Sequence, residues 1–268
     1  EIPLELVTDV LEAVNERMST YSEYSELSLL NQNTTQSPIQ ISASLKEVLQ
    51  ASKKISEDSQ GRFDVTVGPM VNAWGFGPNK DRRNPSSELL KTLKARTGNH
   101  LWTLGESEVT KLHPKLYIDL SAIAKGYAVD QVVKALGQAN VQHFWVEVGG
   151  EIRVKGLNAE GGHWKVGIER PAGKGQRRIF KIINLRNLSI ATSGDYRNRY
   201  IDSKGIVRSH TIDPMTAEPV KHTLASVSVL HTSCMYADAW ATALNVLGPE
   251  AGLDMANRLN LAAYFIKR

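Results

Sequence analysis

The feature that most constrains the fold is a change of hydrophobic period in the middle of the chain. From Phe144 to Leu230 the sequence consists of short runs rich in β-branched and aromatic residues, separated by Gly, Asn and Pro. Such runs are typical of antiparallel strands. On both sides of this region the apolar residues recur at the spacing of one helical face. The pattern predicts an α+β fold with a mostly antiparallel, sheet-rich core and helices packed around it.

The boundaries of the elements follow from the same periods and from Gly, Pro and capping residues. The expected helices run from Leu6 to Met18, Leu45 to about Gly61, Leu89 to Leu93, Ile123 to Leu136, Met235 to Leu247 and Glu250 to Leu259. The expected strands are Lys115 to Leu120, Phe144 to Val148, Ile152 to Val154, Trp164 to Ile168, Phe180 to Ile183, Leu188 to Ala191, Leu224 to Leu230 and Leu261 to Ile266. Gly68-Pro69 and Trp74 to Pro78 are rich in helix and strand breakers, so we expect loops there.

Composition and charge exclude several classes of protein. The chain has 268 residues, 41% of them hydrophobic, which is ordinary for a globular protein. The net charge is only +4 and neither sign forms a block of five or more residues, which argues against a nucleic-acid binder. The one cysteine, Cys234, excludes an internal disulfide. We predict a single domain over residues 1–268, from which the ends of a longer protein are missing because the sequence starts without Met.

Asp238 and Thr242 are candidate metal ligands. They are four residues apart on an expected helix, so a carboxylate and a hydroxyl project from one face. Hard oxygen ligands suit Mg²⁺, which completes its shell with water and phosphate. The alternative is a solvated face, or a threonine bonded back to its own helix.

Asp119 and Lys125 flank the expected start of a helix. Free N–H groups and the positive end of the helix dipole favour a phosphate at such a junction, and Lys125 adds charge. By spacing alone the plainer interpretation is favoured, in which Asp119 caps the helix and Lys125 is solvated.

Three further segments carry polar groups or glycines at the ends of strands. Gly149-Gly150 allows a bulge, a close backbone approach or a simple hairpin turn. Thr192 to Tyr196 suits a loop that lines a pocket, although such loops often only turn the chain. His210 precedes a turn and is a candidate general base or phosphate ligand, against the alternative of a structural histidine.

Taken in order, several segments resemble the ApbE family of FAD:protein FMN transferases. The matching segments are Met18 to Tyr21, Ser25 to Asn31, Gly61 to Pro69, Trp74 to Pro78, Asp119 to Tyr127, Val148 to Glu151, Ala191 to Arg197, Ser209 to Pro214 and Ala237 to Leu244. Each segment is weak alone, but their joint order is specific.

The resemblance implies an enzyme that binds FAD with Mg²⁺. It implies transfer of the FMN portion to a threonine or serine hydroxyl of an acceptor protein, with release of AMP. It assigns the metal ligands as the carbonyl of Ala122, Asp238 and Thr242. It assigns flavin contacts to Tyr21, Arg62, Phe63, Asp64, Asp119, Lys125 and Ile212. His210 matches the family histidine near the pyrophosphate, and we expect His210 and Asp238 to be the catalytic residues.

The resemblance also implies a setting and a partner. Family members are periplasmic and are anchored by lipid to the inner membrane through a cysteine that would precede Glu1. The acceptors it implies are subunits of respiratory quinone reductases or electron-transport complexes that carry a flavinylation motif. A Met-Gly-Thr segment of the family is absent here, which removes one flavin contact. Two other functions fit the same residues: Mg²⁺-dependent hydrolysis of FAD to FMN and AMP, and non-catalytic binding and delivery of FAD.

Overall fold

The chain folds into two compact units in the computed structural model, which describes residues 4–77, 84–170, 178–194 and 198–268. The first, here the sheet unit, comprises Glu1–Glu12, Ile123–Arg197 and His222–Arg268. The second, here the helical unit, comprises Ala13–Ala122 and Asn198–Lys221. The single domain expected from the sequence stays a prediction.

Helices and strands occur in separate stretches of the chain, as in α+β proteins. The helices are α1 Leu4–Met18, α2 Glu26–Gln32, α3 Ala43–Asp58, α4 Gly68–Ala73, α5 Ser87–Lys94, α6 Ala124–Gln138, α7 Cys234–Leu247 and α8 Pro249–Arg258. The strands are β1 Ile39–Gln40, β2 Trp102–Leu104, β3 Glu108–Lys111, β4 Phe144–Val148, β5 Glu151–Lys155, β6 Trp164–Glu169, β7 Ile179–Leu185, β8 Ser189–Gly194, β9 Arg199–Ile201, β10 Val207–Ser209, β11 Ile212–Asp213, β12 Glu218–Pro219, β13 Leu224–His231 and β14 Ala262–Lys267.

A five-stranded antiparallel sheet forms the centre of the sheet unit, in the order β14-β13-β8-β5-β4. One face packs against α6 and α7 through Val129, Val132, Leu136, Phe144, Val146 and Cys234. The opposite face is covered by the β6–β7 ribbon through Val154, Val166, Ile168, Leu185, Ile190 and Ile266. Strand residues alternate between the two faces, so β4 contributes Phe144 and Val146 to the first core and Trp145 to the second.

Helices α6 and α7 each supply a carboxylate that caps the N-terminal turn of the other. Asp130 of α6 accepts hydrogen bonds from the backbone N–H groups of Cys234 (2.8 Å) and Met235 (3.0 Å), the first two residues of α7. In return, Asp238 of α7 accepts one from the N–H of Gly126 at 3.1 Å, in the first turn of α6. Both carboxylates therefore satisfy N–H groups that a helix leaves unpaired, at the positive ends of the dipoles.

The helical unit has its own core and a three-stranded sheet of order β1-β3-β2. Met70, Trp74, Leu93, Ile212 and Ala217 form one buried cluster, and the indole N–H of Trp74 donates to the carbonyl of Ala217 at 2.9 Å. Lys111 is buried, and its ammonium donates to main-chain carbonyls that include those of Leu30 and Leu116. Burial lowers the pKa of Lys111.

The structure confirms the α+β class and corrects two local predictions. Gly68-Pro69 begins helix α4 instead of forming a loop, because Pro in the first helical turn needs no N–H partner. Lys115 to Leu120 is not a strand: the backbone of Ile118 bonds the side chain of Asn31, and the N–H of Asp119 donates to the carbonyl of Val65. Pro78 lies outside the described residues. No described helix combines the length and apolarity that crossing a bilayer requires.

The close approach of α6 and α7 depends on Gly126. A Cβ placed there would lie 2.3 Å from the main-chain oxygen of Cys234, whereas one at Gly137 of the same helix meets nothing within 4 Å. We expect Gly126→Ala to lower the free energy of unfolding by about 2 kcal/mol, because two backbones must separate. Gly137→Ala should raise it by up to about 1 kcal/mol through helix propensity. Urea denaturation of both variants measures the difference, and equal effects would contradict this packing.

Candidate active site

The carboxylate of Asp238 is the centre of a charged cluster in the sheet unit. Asp238 lies on α7 and is only 5% exposed, although it carries an ionisable group. Besides the N–H of Gly126, it faces the ammonium of Lys125 at 3.9 Å, a separation too long for a hydrogen bond. Its charge is therefore only partly compensated by the protein.

Lys125 joins Asp238 to a second acid, Glu151. The Lys125 ammonium forms an ion pair with the Oε1 atom of Glu151, whose side chain is almost fully buried. Glu151 follows the Gly149-Gly150 turn, in which both glycines have positive φ, 63° and 105°. This is the two-residue hairpin between β4 and β5, one of the alternatives left open by the sequence. A Cβ at Gly149 would lie 3.0 Å from Cδ of Lys125, so the turn closes over the lysine.

The three charges shift one another's pKa. Burial and the Asp238 carboxylate raise the pKa of Glu151 to about 7, although Lys125 opposes the rise. Burial likewise raises the pKa of Asp238 above its ordinary value, again against Lys125 and the N–H of Gly126. Burial lowers the pKa of Lys125, but Asp238 and Glu151 together raise it above the ordinary lysine value. Lys125 is therefore a stable cation between two acids that resist ionisation.

The cluster has the donors that a hard divalent cation requires. Thr242 is partly exposed and lies one turn along α7 from Asp238, on the same face. Within the described chain, Oε2 of Glu151 is buried without a hydrogen-bond partner. No three His, Cys, Asp or Glu side chains of the described residues form a metal-binding group. A cation beside Asp238 would therefore also draw on hydroxyl, carbonyl and substrate oxygens, which suits Mg²⁺.

The other predicted residues lie in the helical unit. Asp64 accepts from the N–H (2.8 Å) and hydroxyl (2.6 Å) of Thr66, and burial nevertheless raises its pKa. Arg62 pairs with Asp213 at 3.1 Å. Asp119 accepts from the N–H of Ser121 at 2.9 Å in a local turn. Asp119 therefore does not cap α6, contrary to the plainer interpretation of the sequence.

The exposure of the predicted flavin contacts differs widely. The side chains of Phe63 and Ile212 are buried in the core of the helical unit, so their exposed atoms are few. Tyr21, in contrast, is 76% exposed. Ala122 is partly exposed and belongs to the same unit.

His210 has a defined orientation in the helical unit. Its Nδ1 atom lies 3.2 Å from the carbonyl oxygen of Asn198, and its ring meets Phe76 edge-on with centroids 6.3 Å apart. An Nδ1–H group that donates to this carbonyl leaves Nε2 as the proton-accepting nitrogen.

Of the predicted site residues, the structure brings Lys125 to Asp238 in the sheet unit, and Thr242 lies one helical turn from Asp238 on α7. It adds Glu151, for which the sequence predicts no role of its own. The available signal was a carboxylate directly after a glycine turn, at a strand position paired with Val148. Asp195, Tyr196 and Arg197 lie outside the described residues.

Solved structures with the same fold define the class. Flavin transferase ApbE from Vibrio cholerae matches with a TM-score of 0.91 and 39% identity, over 100% of this chain and 86% of that chain. Flavinyl transferase ApbE from Pseudomonas stutzeri in its apo form matches with a TM-score of 0.90 and 36% identity, over 100% and 84%. The protein is an enzyme of the transferase class.

Sequence comparison gives the family. The profile described as ApbE family matches residues 4–265. The FAD:protein FMN transferase of Haemophilus influenzae is 44% identical over 270 residues, which are 98% of this chain and 78% of the relative. That of Escherichia coli K12 is 37% identical over 270 residues, 98% of this chain and 76% of the relative. The chain belongs to the ApbE family.

The raised pKa of Glu151 predicts a pH-dependent stability. The folded state binds this proton more tightly than the unfolded chain, whose carboxyl has the ordinary pKa of 4.5. The stabilisation is thus complete below pH 4.5 and is lost as the pH rises to about 7. From about pH 5 to about pH 8, without divalent cations, the free energy of unfolding should fall by about 2 kcal/mol more in the wild type than in Glu151→Gln.

Urea denaturation at each pH measures this difference. Glu160→Gln serves as the matched control, because Glu160 lies in an exposed loop of the same unit. Its stability should follow the wild type across the range. Parallel pH curves for the wild type and Glu151→Gln would show that Glu151 is not protonated in the folded state.

Proposed function

We propose that the protein transfers the FMN portion of FAD to a threonine or serine hydroxyl of an acceptor protein, with Mg²⁺, and releases AMP. The observation that carries the proposal is the partly compensated carboxylate of Asp238, one turn from Thr242 and beside Lys125 at the N-terminus of α6. The names of the relatives, FAD:protein FMN transferase, support the same substrates.

Asp238 and Thr242 would hold the Mg²⁺ ion, and the resemblance adds the carbonyl of Ala122 as a third ligand. The carboxylate, hydroxyl and carbonyl are hard oxygen donors that leave positions open for phosphate oxygens. When bound, Mg²⁺ neutralises charge that develops on the pyrophosphate. Lys125 adds a fixed positive charge, and its pairing with Glu151 restricts where the ammonium can lie.

The transfer itself requires one bond to form and one to break. The acceptor oxygen attacks the FMN phosphorus in line, and the bond from that phosphorus to the bridging oxygen breaks, so that AMP leaves with the bridging oxygen. Nε2 of His210 takes the hydroxyl proton, since Nδ1 faces the carbonyl of Asn198. Tyr21, Arg62, Phe63, Asp64, Asp119 and Ile212 are proposed, with Lys125, as the residues that position FAD.

The setting we propose is the periplasm, with a lipid anchor in the inner membrane supplied by sequence that would precede Glu1. The acceptor we propose is a respiratory quinone reductase or electron-transport subunit that carries a flavinylation motif. Both proposals rest on the family resemblance.

One assay tests the function directly. The protein is incubated with FAD and Mg²⁺, with and without an acceptor that carries an Asp-x-x-Thr motif. We expect covalent flavin fluorescence on the acceptor and an equal amount of AMP. AMP without an adduct would replace transfer by hydrolysis of FAD, and unchanged FAD would leave only binding and delivery.

Substitution of the two proposed metal ligands should reduce transfer to different extents. Thr242→Val should raise the Mg²⁺ concentration for half-maximal transfer at least about tenfold, because a hydroxyl ligand is lost. Asp238→Asn keeps an acceptor for the N–H of Gly126 but loses the charge, so transfer should fall about a thousandfold. Initial rates of AMP release across a Mg²⁺ titration measure both effects.

Thr92→Val is the matched control for the threonine variant, since Thr92 is an exposed helical threonine on α5. Its Mg²⁺ dependence should equal that of the wild type. An unchanged Mg²⁺ dependence in Thr242→Val would remove Thr242 from the metal site.

A further inference from the structure

Glu151 is buried on the face of the five-stranded sheet that packs against α6 and α7. It pairs across strands with Val148, which packs into the core between the sheet and these helices, and cross-strand partners share a face. The Glu151 side chain is 4% exposed, and its Oε2 atom has no hydrogen-bond partner among the described residues. A buried carboxylate with an unsatisfied oxygen costs free energy of folding. Packing alone therefore does not explain a glutamate at this position.

The partner of Glu151 is Lys125, the second residue of α6. The Lys125 ammonium pairs with Oε1 of Glu151. The turn that precedes Glu151 also lies against the lysine stem, since a Cβ at Gly149 would be 3.0 Å from Cδ of Lys125. The hairpin thus limits the path of the lysine side chain and presents the carboxylate that receives its ammonium.

The two carboxylate oxygens of Asp238 have different surroundings. Oδ2 accepts a hydrogen bond from the N–H of Gly126 at 3.1 Å. Oδ1 lies 3.9 Å from the Lys125 ammonium and accepts no hydrogen bond from the described residues. This separation exceeds a charge-assisted hydrogen bond by about 1 Å. Oδ1 is therefore the oxygen that is left to bind a cation.

Without Glu151, the lysine would compete for that oxygen. An ammonium on a flexible four-carbon stem readily changes its position, and Asp238 carries the other carboxylate beside it. A contact of about 2.8 Å between Lys125 and Oδ1 would take the place of a metal ion and neutralise the charge that attracts one. Glu151 draws the ammonium to the sheet side, so that the lysine and Oδ1 stay apart.

We propose that Glu151 is a positioning residue, which holds the Lys125 ammonium away from Oδ1 of Asp238 and so keeps this carboxylate available to a divalent cation. The inference rests on the proposed function, because it takes Asp238 as a metal ligand. It adds a role for Glu151 that acts through Lys125, without contact to the metal or to FAD.

Equilibrium binding of Mn²⁺ tests this role without any reaction. The EPR signal of free Mn²⁺ is followed in a titration of the protein without FAD at pH 8, where Glu151 is ionised because its pKa is about 7. Glu151→Met keeps the length of the side chain but removes its charge, so the Mn²⁺ Kd should rise about tenfold. Glu151→Asp keeps the charge but is one methylene too short to hold the ammonium, so the Kd should rise by a similar factor.

Removal of the lysine should reverse the effect. Glu151→Met combined with Lys125→Met should bind Mn²⁺ at least as tightly as the wild type, because no ammonium remains to occupy Asp238. General damage to the fold would not be reversed in this way. Glu147→Met and Glu147→Asp are the matched controls, since Glu147 is exposed on the neighbouring strand β4. Both should bind Mn²⁺ as the wild type does.

A crystal structure of Glu151→Met without divalent cations gives a second readout. The distance from the Lys125 ammonium to Oδ1 of Asp238 should shorten from 3.9 Å to about 2.8 Å. An unchanged distance would overturn the proposal. So would a wild-type Mn²⁺ Kd in Glu151→Met, or a double variant that binds as weakly as Glu151→Met. A wild-type Kd in Glu151→Asp would also overturn it, because charge alone would then explain the effect.

The positioning role and the transfer function can fail separately. Covalent transfer with wild-type Mn²⁺ Kd values in the Glu151 variants would leave the function standing and remove the positioning role. The expected Mn²⁺ Kd values with no adduct in the transfer assay would support the positioning role and remove the function. A wild type that binds Mn²⁺ no more tightly than Asp238→Asn would overturn the positioning role and the metal site together.

Discussion

The reciprocal capping of α6 and α7 is the interaction on which the site depends. Asp130 satisfies the first N–H groups of α7, and Asp238 satisfies an N–H in the first turn of α6. Because α6 has no side-chain cap of its own, the carboxylate of Asp238 is both a structural cap and the centre of the charged cluster. Gly126 makes this possible, since any side chain there would keep the helices apart. The fold therefore places a carboxylate where water cannot fully solvate it.

The chemistry follows from this placement. Two buried acids and one lysine leave a surplus of negative charge when all are ionised, and the protein offers only one N–H and one ammonium to Asp238. A divalent cation beside Asp238 relieves that surplus, which is the physical reason to expect Mg²⁺ at this helix.

Much of the fold was predictable because its elements are strongly periodic. The strands from Phe144 to Leu230 and helices such as α7 appear where the apolar spacing places them. Gly68-Pro69 was predicted wrongly because a helix accepts Pro in its first turn. Lys115 to Leu120 was predicted wrongly because a tertiary partner, the side chain of Asn31, takes the place of a neighbouring strand. For the site, spacing put Asp238 and Thr242 on one face, but only the fold brings Lys125 and Glu151 to Asp238, since these contacts join distant parts of the chain.

The central claim is that α7 holds a divalent cation between the carboxylate of Asp238 and the hydroxyl of Thr242. Crystals of the protein soaked with FAD and Mn²⁺, examined by anomalous scattering at the manganese edge, test it most directly. We expect the strongest peak about 2.1 Å from an oxygen of each of the two side chains, the distance typical of such ions. A well-occupied peak bound to FAD elsewhere, with both of these side chains uncoordinated, would contradict the account.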